Sequence, residues 1–125
     1  MSEVCNVQSV APFECASVLL VGFNRPDFMA SQIAAIRGAA PRKLYVAVDG
    51  PRFERKREVE LCRQVQECVA LVDWPCEVKT LFREKNLGCK LSISGAITWF
   101  FEHETEGIIL EDDCAPALDF FRFAS

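Results

Sequence analysis

The sequence predicts a single α/β domain built on an open, mostly parallel, Rossmann-like sheet. Two observations carry that reading. Short apolar runs alternate with amphipathic segments of helical spacing from Ser17 to the end of the chain, a pattern that a parallel sheet covered by helices on both faces accounts for. The polar residues that interrupt this pattern fall after the apolar runs, where a parallel sheet gathers its ligand-binding loops. The chain has 125 residues, half of them apolar and about a quarter charged, which fits one globular domain.

The elements follow in order. Residues 1–16 show no periodicity and read as a loose lead-in to a domain over 17–125. Ser17 to Phe23 is a continuous apolar run, expected of a strand buried on both faces. Asn24-Arg25-Pro26-Asp27 then starts a helix, with proline in the first turn and Asp27 against the positive end of the dipole. Asn24 and Arg25 read equally as cap and solvated charge or as ligand contacts. Met29, Ile33 and Ile36 keep helical spacing, and Gly38 with Pro41 closes the helix.

A second strand runs from Lys43 to Val48 and ends in Asp49-Gly50-Pro51. A basic loop with Arg52, Arg55, Lys56 and Arg57 leads into a helix with apolar positions Val59, Cys62, Val65, Val69 and Val72, stopped by Trp74-Pro75. Glu77 to Phe82 is a third strand whose alternation suggests a more exposed place in the sheet. After Asn86-Leu87-Gly88 a helix reaches about His103, with Ile93, Ile97, Phe100 and Phe101 expected to face inward. Gly107 to Leu110 forms a fourth, dry strand leading into Glu111-Asp112-Asp113.

Several classes are disfavoured. The net charge of −4 leaves no basic surplus for nucleic acid. No apolar run approaches the ~20 residues of a spanning helix, and Met1 to Glu14 lacks the pattern of a secretory signal. A cytoplasmic chain, or one peripheral to the inner face of the membrane, is expected. The seven cysteines have irregular spacing, and His103 has no zinc-ligand pattern around it. Reduced thiols follow, with Cys62 and Cys68 acting as small buried or half-buried hydrophobes. A phospho-accepting receiver needs acids after the first strand, where this chain has Asn24-Arg25. A dinucleotide fold needs a glycine-rich turn there.

The acidic triplet has the sharpest chemistry. Adjacent carboxylates repel unless a cation or hydrogen-bond donors offset them, and hard oxygen donors suit Mg²⁺ or Mn²⁺; a solvated acidic turn is the plainer reading. Asp49 before Gly50 can be a turn former or an acceptor for a base or sugar hydroxyl. Lys90, in a helix's first turn, is either a surface lysine or a phosphate contact.

The segments VLLVGFNRP, KLYVAVDGPR, LFREKNLGCK and GIILEDDCAPALDFFRF, in that order, resemble GT-A glycosyltransferases. They are most similar to bacterial family 2-like sugar transferases, some of them described as hemolytic-protein-like. The last segment also resembles the EDD strand of the N-acetylglucosaminyltransferase I family. Here the run after EDD reads Ala117-Leu118-Asp119-Phe120-Phe121, without the family's proline. The resemblance covers about Ser17 to Phe123.

The resemblance implies that Phe23, Asn24 and Arg25 line a nucleotide pocket. It turns Asp49, with Gly50 beside it, towards the base, classically uracil. Gly88 permits close backbone approach and Lys90 lies near the diphosphate. Asp113 is then the direct ligand of Mn²⁺ or Mg²⁺, with Glu111 and Asp112 towards ribose and sugar. The implied donor is a nucleotide-diphospho-sugar, with a UDP-sugar favoured, and the implied role is surface-glycan synthesis by an inverting enzyme. The general base and the glycan-acceptor site are expected beyond Ser125, so the chain reads as a GT-A fold truncated after its EDD strand. Self-association over an uncovered sheet edge is a further expectation. The alternatives are a non-catalytic nucleotide-binding module and an inactive truncated remnant.

Overall fold

The computed structural model describes residues 16–111. It is an α/β fold in which four parallel strands and three helices alternate along the chain. Strand β1 (Val18–Gly22) is followed by helix α1 (Pro26–Arg37), β2 (Lys43–Val48), α2 (Lys56–Glu67), β3 (Glu77–Phe82), α3 (Cys89–Phe101) and β4 (Ile108–Glu111). A single 3-10 turn, Cys68–Leu71, extends α2.

The sheet order is β3-β2-β1-β4. Val18 pairs with Leu44 on one side and with Ile108 on the other. The chain therefore builds outward from β1 in one direction through β2 and β3, then returns to add β4 on the opposite side. That reversal opens a crevice above the carboxyl ends of β1 and β4, the place where open α/β sheets take ligands.

Strand alternation sends β1 and β2 side chains to opposite faces. Val18, Leu20, Leu44 and Val46 pack with Met29, Ile33 and Ile36 of α1 and Val65 of α2. Leu19, Val21, Tyr45 and Ala47 pack with Ala96 and Phe100 of α3. Both central strands are buried on both faces, as their unbroken apolar runs predict. At the amino ends of the strands the Glu104 carboxylate accepts hydrogen bonds from Tyr45 Oη (2.7 Å) and Ser17 Oγ (2.9 Å), and pairs with Lys43 Nζ at 3.3 Å. Tyr45 also meets Phe100 and Trp99 edge to face, so a ring cluster packs beside this carboxylate.

Three expectations need correction. Val59 is 60% exposed, because the stripe of α2 that meets the sheet runs through Glu58, Cys62 and Val65 and leaves Val59 outside it. Phe101 is likewise largely exposed beyond fully buried Phe100, since a helix face admits one of two successive residues. The fourth strand is not dry: Ile108 and Leu110 are buried while Ile109 and Glu111 are exposed, and among the described residues β4 is paired only to β1. Gly38 does cap α1 as expected, with a right-handed φ of −62°, and the left-handed residue past the helix is Ala40, at φ 46°. The third strand, expected to be more exposed, does sit at an edge of the sheet formed by the described residues.

Candidate functional site

A cleft of about 400 Å³ opens above the carboxyl ends of the strands, within the roughly 300–1,000 Å³ usual for small-molecule sites. Its floor is Val21 and Gly22 at the end of β1. Phe23, Asn24 and Arg25, which join β1 to α1, form one wall. Asp49 and Arg52 after β2 form the second, Asn86 and Gly88 with Cys89, Ser92 and Ile93 of α3 form the third, and Glu111 closes the edge at the end of β4.

Six of the residues singled out from sequence thus come together: Phe23, Asn24, Arg25, Asp49, Gly88 and Glu111. Gly50 and Lys90 are not among those lining the cleft. Gly50 lies beneath it, buried, and a Cβ there would stand 2.6 Å from backbone atoms of Lys85. Its lack of a side chain is what lets the β3–α3 loop close onto the β2–α2 loop. Lys90 is exposed in the first turn of α3, next to Cys89. Asp112 and Asp113 lie outside the described residues.

Two carboxylates organise the cleft. Asp49 is 3% exposed. Its Oδ1 accepts the backbone N–H groups of Gly50 (2.8 Å) and Leu87 (3.0 Å), and its Oδ2 accepts Asn86 Nδ2 (3.0 Å). The Asn86 amide also donates to Gly50 O at 2.9 Å. With three of about four acceptor positions engaged, Asp49 clamps two loops together and keeps little capacity for a ligand. The turn-forming reading of this residue is therefore realised here, and one acceptor position is left for a hydroxyl or base edge.

The second carboxylate is Glu58, 4% exposed in the first turn of α2. It receives the Arg52 guanidinium, the Arg52 backbone N–H at 3.0 Å and Asn24 Nδ2 at 3.0 Å. The Arg52 side-chain hydrogen bond, overcoming the opposing effect of burial, holds Glu58 down at about 2. Arg52 also lies over the Phe23 ring, 5.5 Å from its centroid. Glu58 therefore sets the rotamers of two cleft residues, Arg52 and Asn24, from behind.

Sequence reasoning missed Glu58, because within Lys-Arg-Glu-Val-Glu it reads as one more solvated charge. The available signal was its phase, four residues before Cys62 and seven before Val65. Gln32 was missed as well. It is 1% exposed on α1, and its Nε2 donates to Glu111 O at 2.9 Å. Its Oε1 has no hydrogen-bond partner among the described residues. That contact ties α1 to the residue at which the acidic triplet begins.

Gly88 has φ 88° and ψ 154°, a conformation that side-chain-bearing residues avoid, and nothing lies within 4 Å of where its Cβ would be. The backbone at the amino end of α3 is thus open to close approach, where helix N–H groups favour an anion. Cys62, Cys68, Cys76 and Cys89 are free thiols. Burial, joined by the charge of Glu58, pushes Cys62 up to about 11, as expected of a packing residue. Among the described residues no cluster of three or more metal-ligating side chains occurs, and no helix is long and apolar enough to cross a membrane. In comparisons with protein-family profiles, curated proteins and solved structures, nothing matches this chain.

Proposed function

We propose that the cleft binds the nucleotide of a nucleotide-diphospho-sugar, and that the chain is the donor-binding half of a metal-dependent inverting glycosyltransferase of surface-glycan synthesis. The observation that supports this reading most is the convergence of Phe23, Asn24, Arg25, Asp49, Gly88 and Glu111 around one cleft. These residues come from four separate segments of the chain. They are the positions to which the resemblance to GT-A enzymes gives nucleotide contacts.

Each has chemistry to offer. Phe23 offers a ring face to a base. Arg25 carries an exposed guanidinium suited to phosphate. Gly88 and the first N–H groups of α3 offer donors to phosphate oxygens.

The metal would be Mn²⁺ or Mg²⁺. Glu111 is the one carboxylate of the triplet within the described residues, and it stands at the edge of the cleft. Hard carboxylate donors suit either ion, which usually takes one or two carboxylates and fills its other positions with phosphate and water. Asp113 is proposed as the direct ligand, with Glu111 and Asp112 towards ribose and sugar. The bound ion would supply charge neutralisation of the departing diphosphate. The chain's own part is to hold the donor: Asn24 and Arg52 are fixed by Glu58, and Gln32 anchors the start of the triplet.

A second reading, a nucleotide-binding module without chemistry of its own, is favoured by one observation. The two buried carboxylates at the cleft are committed to loop clamping and to an ion pair, so neither is free to act as a general base.

Calorimetric titration of UDP, with and without Mn²⁺, tests the proposal on the unaltered chain and on Asp113→Ala. Saturable binding that requires Mn²⁺ and is lost in Asp113→Ala supports it. A folded chain that binds no UDP under either condition overturns it.

A further inference from the structure

The loop after β2 and the first turn of α2 carry an unusual surface on residues 53–59. Phe53 is 101% exposed and Val59 60% exposed, and Glu54, Arg55, Lys56 and Arg57 between them are exposed too. The one side chain of the segment that turns inward is Glu58, which is held by Arg52 and Asn24. Its withdrawal leaves Arg55, Lys56 and Arg57 beside two surface acids, Glu54 and Glu60, of which Glu60 is paired with Arg63. These cations also begin α2, where the helix dipole adds positive potential instead of relieving it. A chain of net charge −4 thus presents a local cationic patch with an aromatic ring at its tip.

A surface able to accept both parts must be anionic and yet admit hydrocarbon. The headgroup region of a bilayer containing acidic lipid is such a surface. A nucleic acid offers phosphates and could stack on Phe53, but it has no use for aliphatic Val59. We propose that residues 53–59 dock the chain reversibly on an anionic lipid surface. Phe53 and Val59 enter the boundary between headgroups and acyl chains, and Arg55, Lys56 and Arg57 pair with lipid phosphates. Arg52, adjacent to Phe53, lines the cleft, so docking brings the cleft's mouth to the membrane. The proposal stands independently of what the cleft binds.

Co-sedimentation with vesicles of phosphatidylcholine alone, and of phosphatidylcholine mixed with phosphatidylglycerol, is the test. The chain is expected to sediment with the mixed vesicles, to stay in solution beside the neutral ones, and to be released by high salt. Replacing Arg55, Lys56 and Arg57 one at a time by Gln weakens partition by about fivefold each, and Phe53→Ala by roughly tenfold. All four side chains are exposed, and circular dichroism of each variant checks that the fold is retained.

Absence of partition at low salt overturns the proposal, as does equal partition onto both vesicle types or partition indifferent to Phe53→Ala. So does tighter binding to a single-stranded oligonucleotide than to the mixed vesicles. UDP titration of the same variants keeps the two proposals apart, since neither result depends on the other.

Discussion

At the scale of single residues, the cleft depends on groups that do not touch its contents. Glu58 is the clearest case. Its carboxyl falls from 4.5 to about 2 through its bonds with Arg52 and then Asn24. A depressed carboxyl stabilises the fold fully above its unfolded value and loses that contribution as pH falls through the folded one. The loss is expected between pH 4.5 and about 2, and amounts to roughly 1–2 kcal/mol once solvent screening of the partly exposed Arg52 is allowed for. Glu58→Gln should flatten that part of the pH-stability curve in urea titrations; an unchanged curve would show that the ion pair contributes nothing. Ala40 is a different case, a left-handed alanine that is exposed. Ala40→Gly should raise stability by about 0.5–1 kcal/mol in thermal melts, and a lower melting temperature would contradict the strain argument.

At the scale of elements, order and type were legible from sequence and side-chain phase was only partly so. Apolar runs identify β1 and β2 because both are buried on both faces. The spacing of Met29, Ile33 and Ile36 identifies α1 because one stripe meets the core. For α2 the spacing of Val59, Cys62 and Val65 is compatible with more than one stripe, and burial of Glu58 by Arg52 and Asn24 decides between them. No local pattern announces that choice. The exposure of Ile109 was illegible for another reason: edge or centre is a property of sheet order, which periodicity does not contain. The loops have the same character. Asp49-Gly50 reads as a turn, but the closure of residues 84–87 onto it appears only in three dimensions. Gly50→Ala should therefore cost about 1–3 kcal/mol through the clash and break the Asp49–Leu87 bond. Hydrogen exchange at the Leu87 amide should rise, and unchanged protection there would contradict this account.

At the scale of the whole molecule, the sheet separates two ends with different tasks. The amino ends of the strands are held together by Glu104 and the rings around Tyr45. The carboxyl ends open into the cleft and carry the cationic loop. The convergence of Phe23, Asn24, Arg25, Asp49, Gly88 and Glu111 was legible because a parallel sheet brings loops after successive strands to one rim. The supporting set of Glu58, Arg52 and Gln32 was not, because helix packing assembles it. Among the described residues β4 is paired on one side only, and a strand edge left open invites another strand. Sedimentation velocity over a wide concentration range should show reversible self-association; a monomer throughout would contradict it.

The central claim is that the cleft between β1, β2 and β4 is a nucleotide site, and backbone amide NMR tests it most directly. Titrating UDP with Mg²⁺ should shift the amides of Phe23 to Arg25 and of Leu87 to Ser92, together with the side-chain amides of Asn24 and Asn86. Traces of Mn²⁺ should broaden Glu111 first. Shifts confined to the opposite rim around Arg42 and Glu104, or none in a folded sample, would contradict the account.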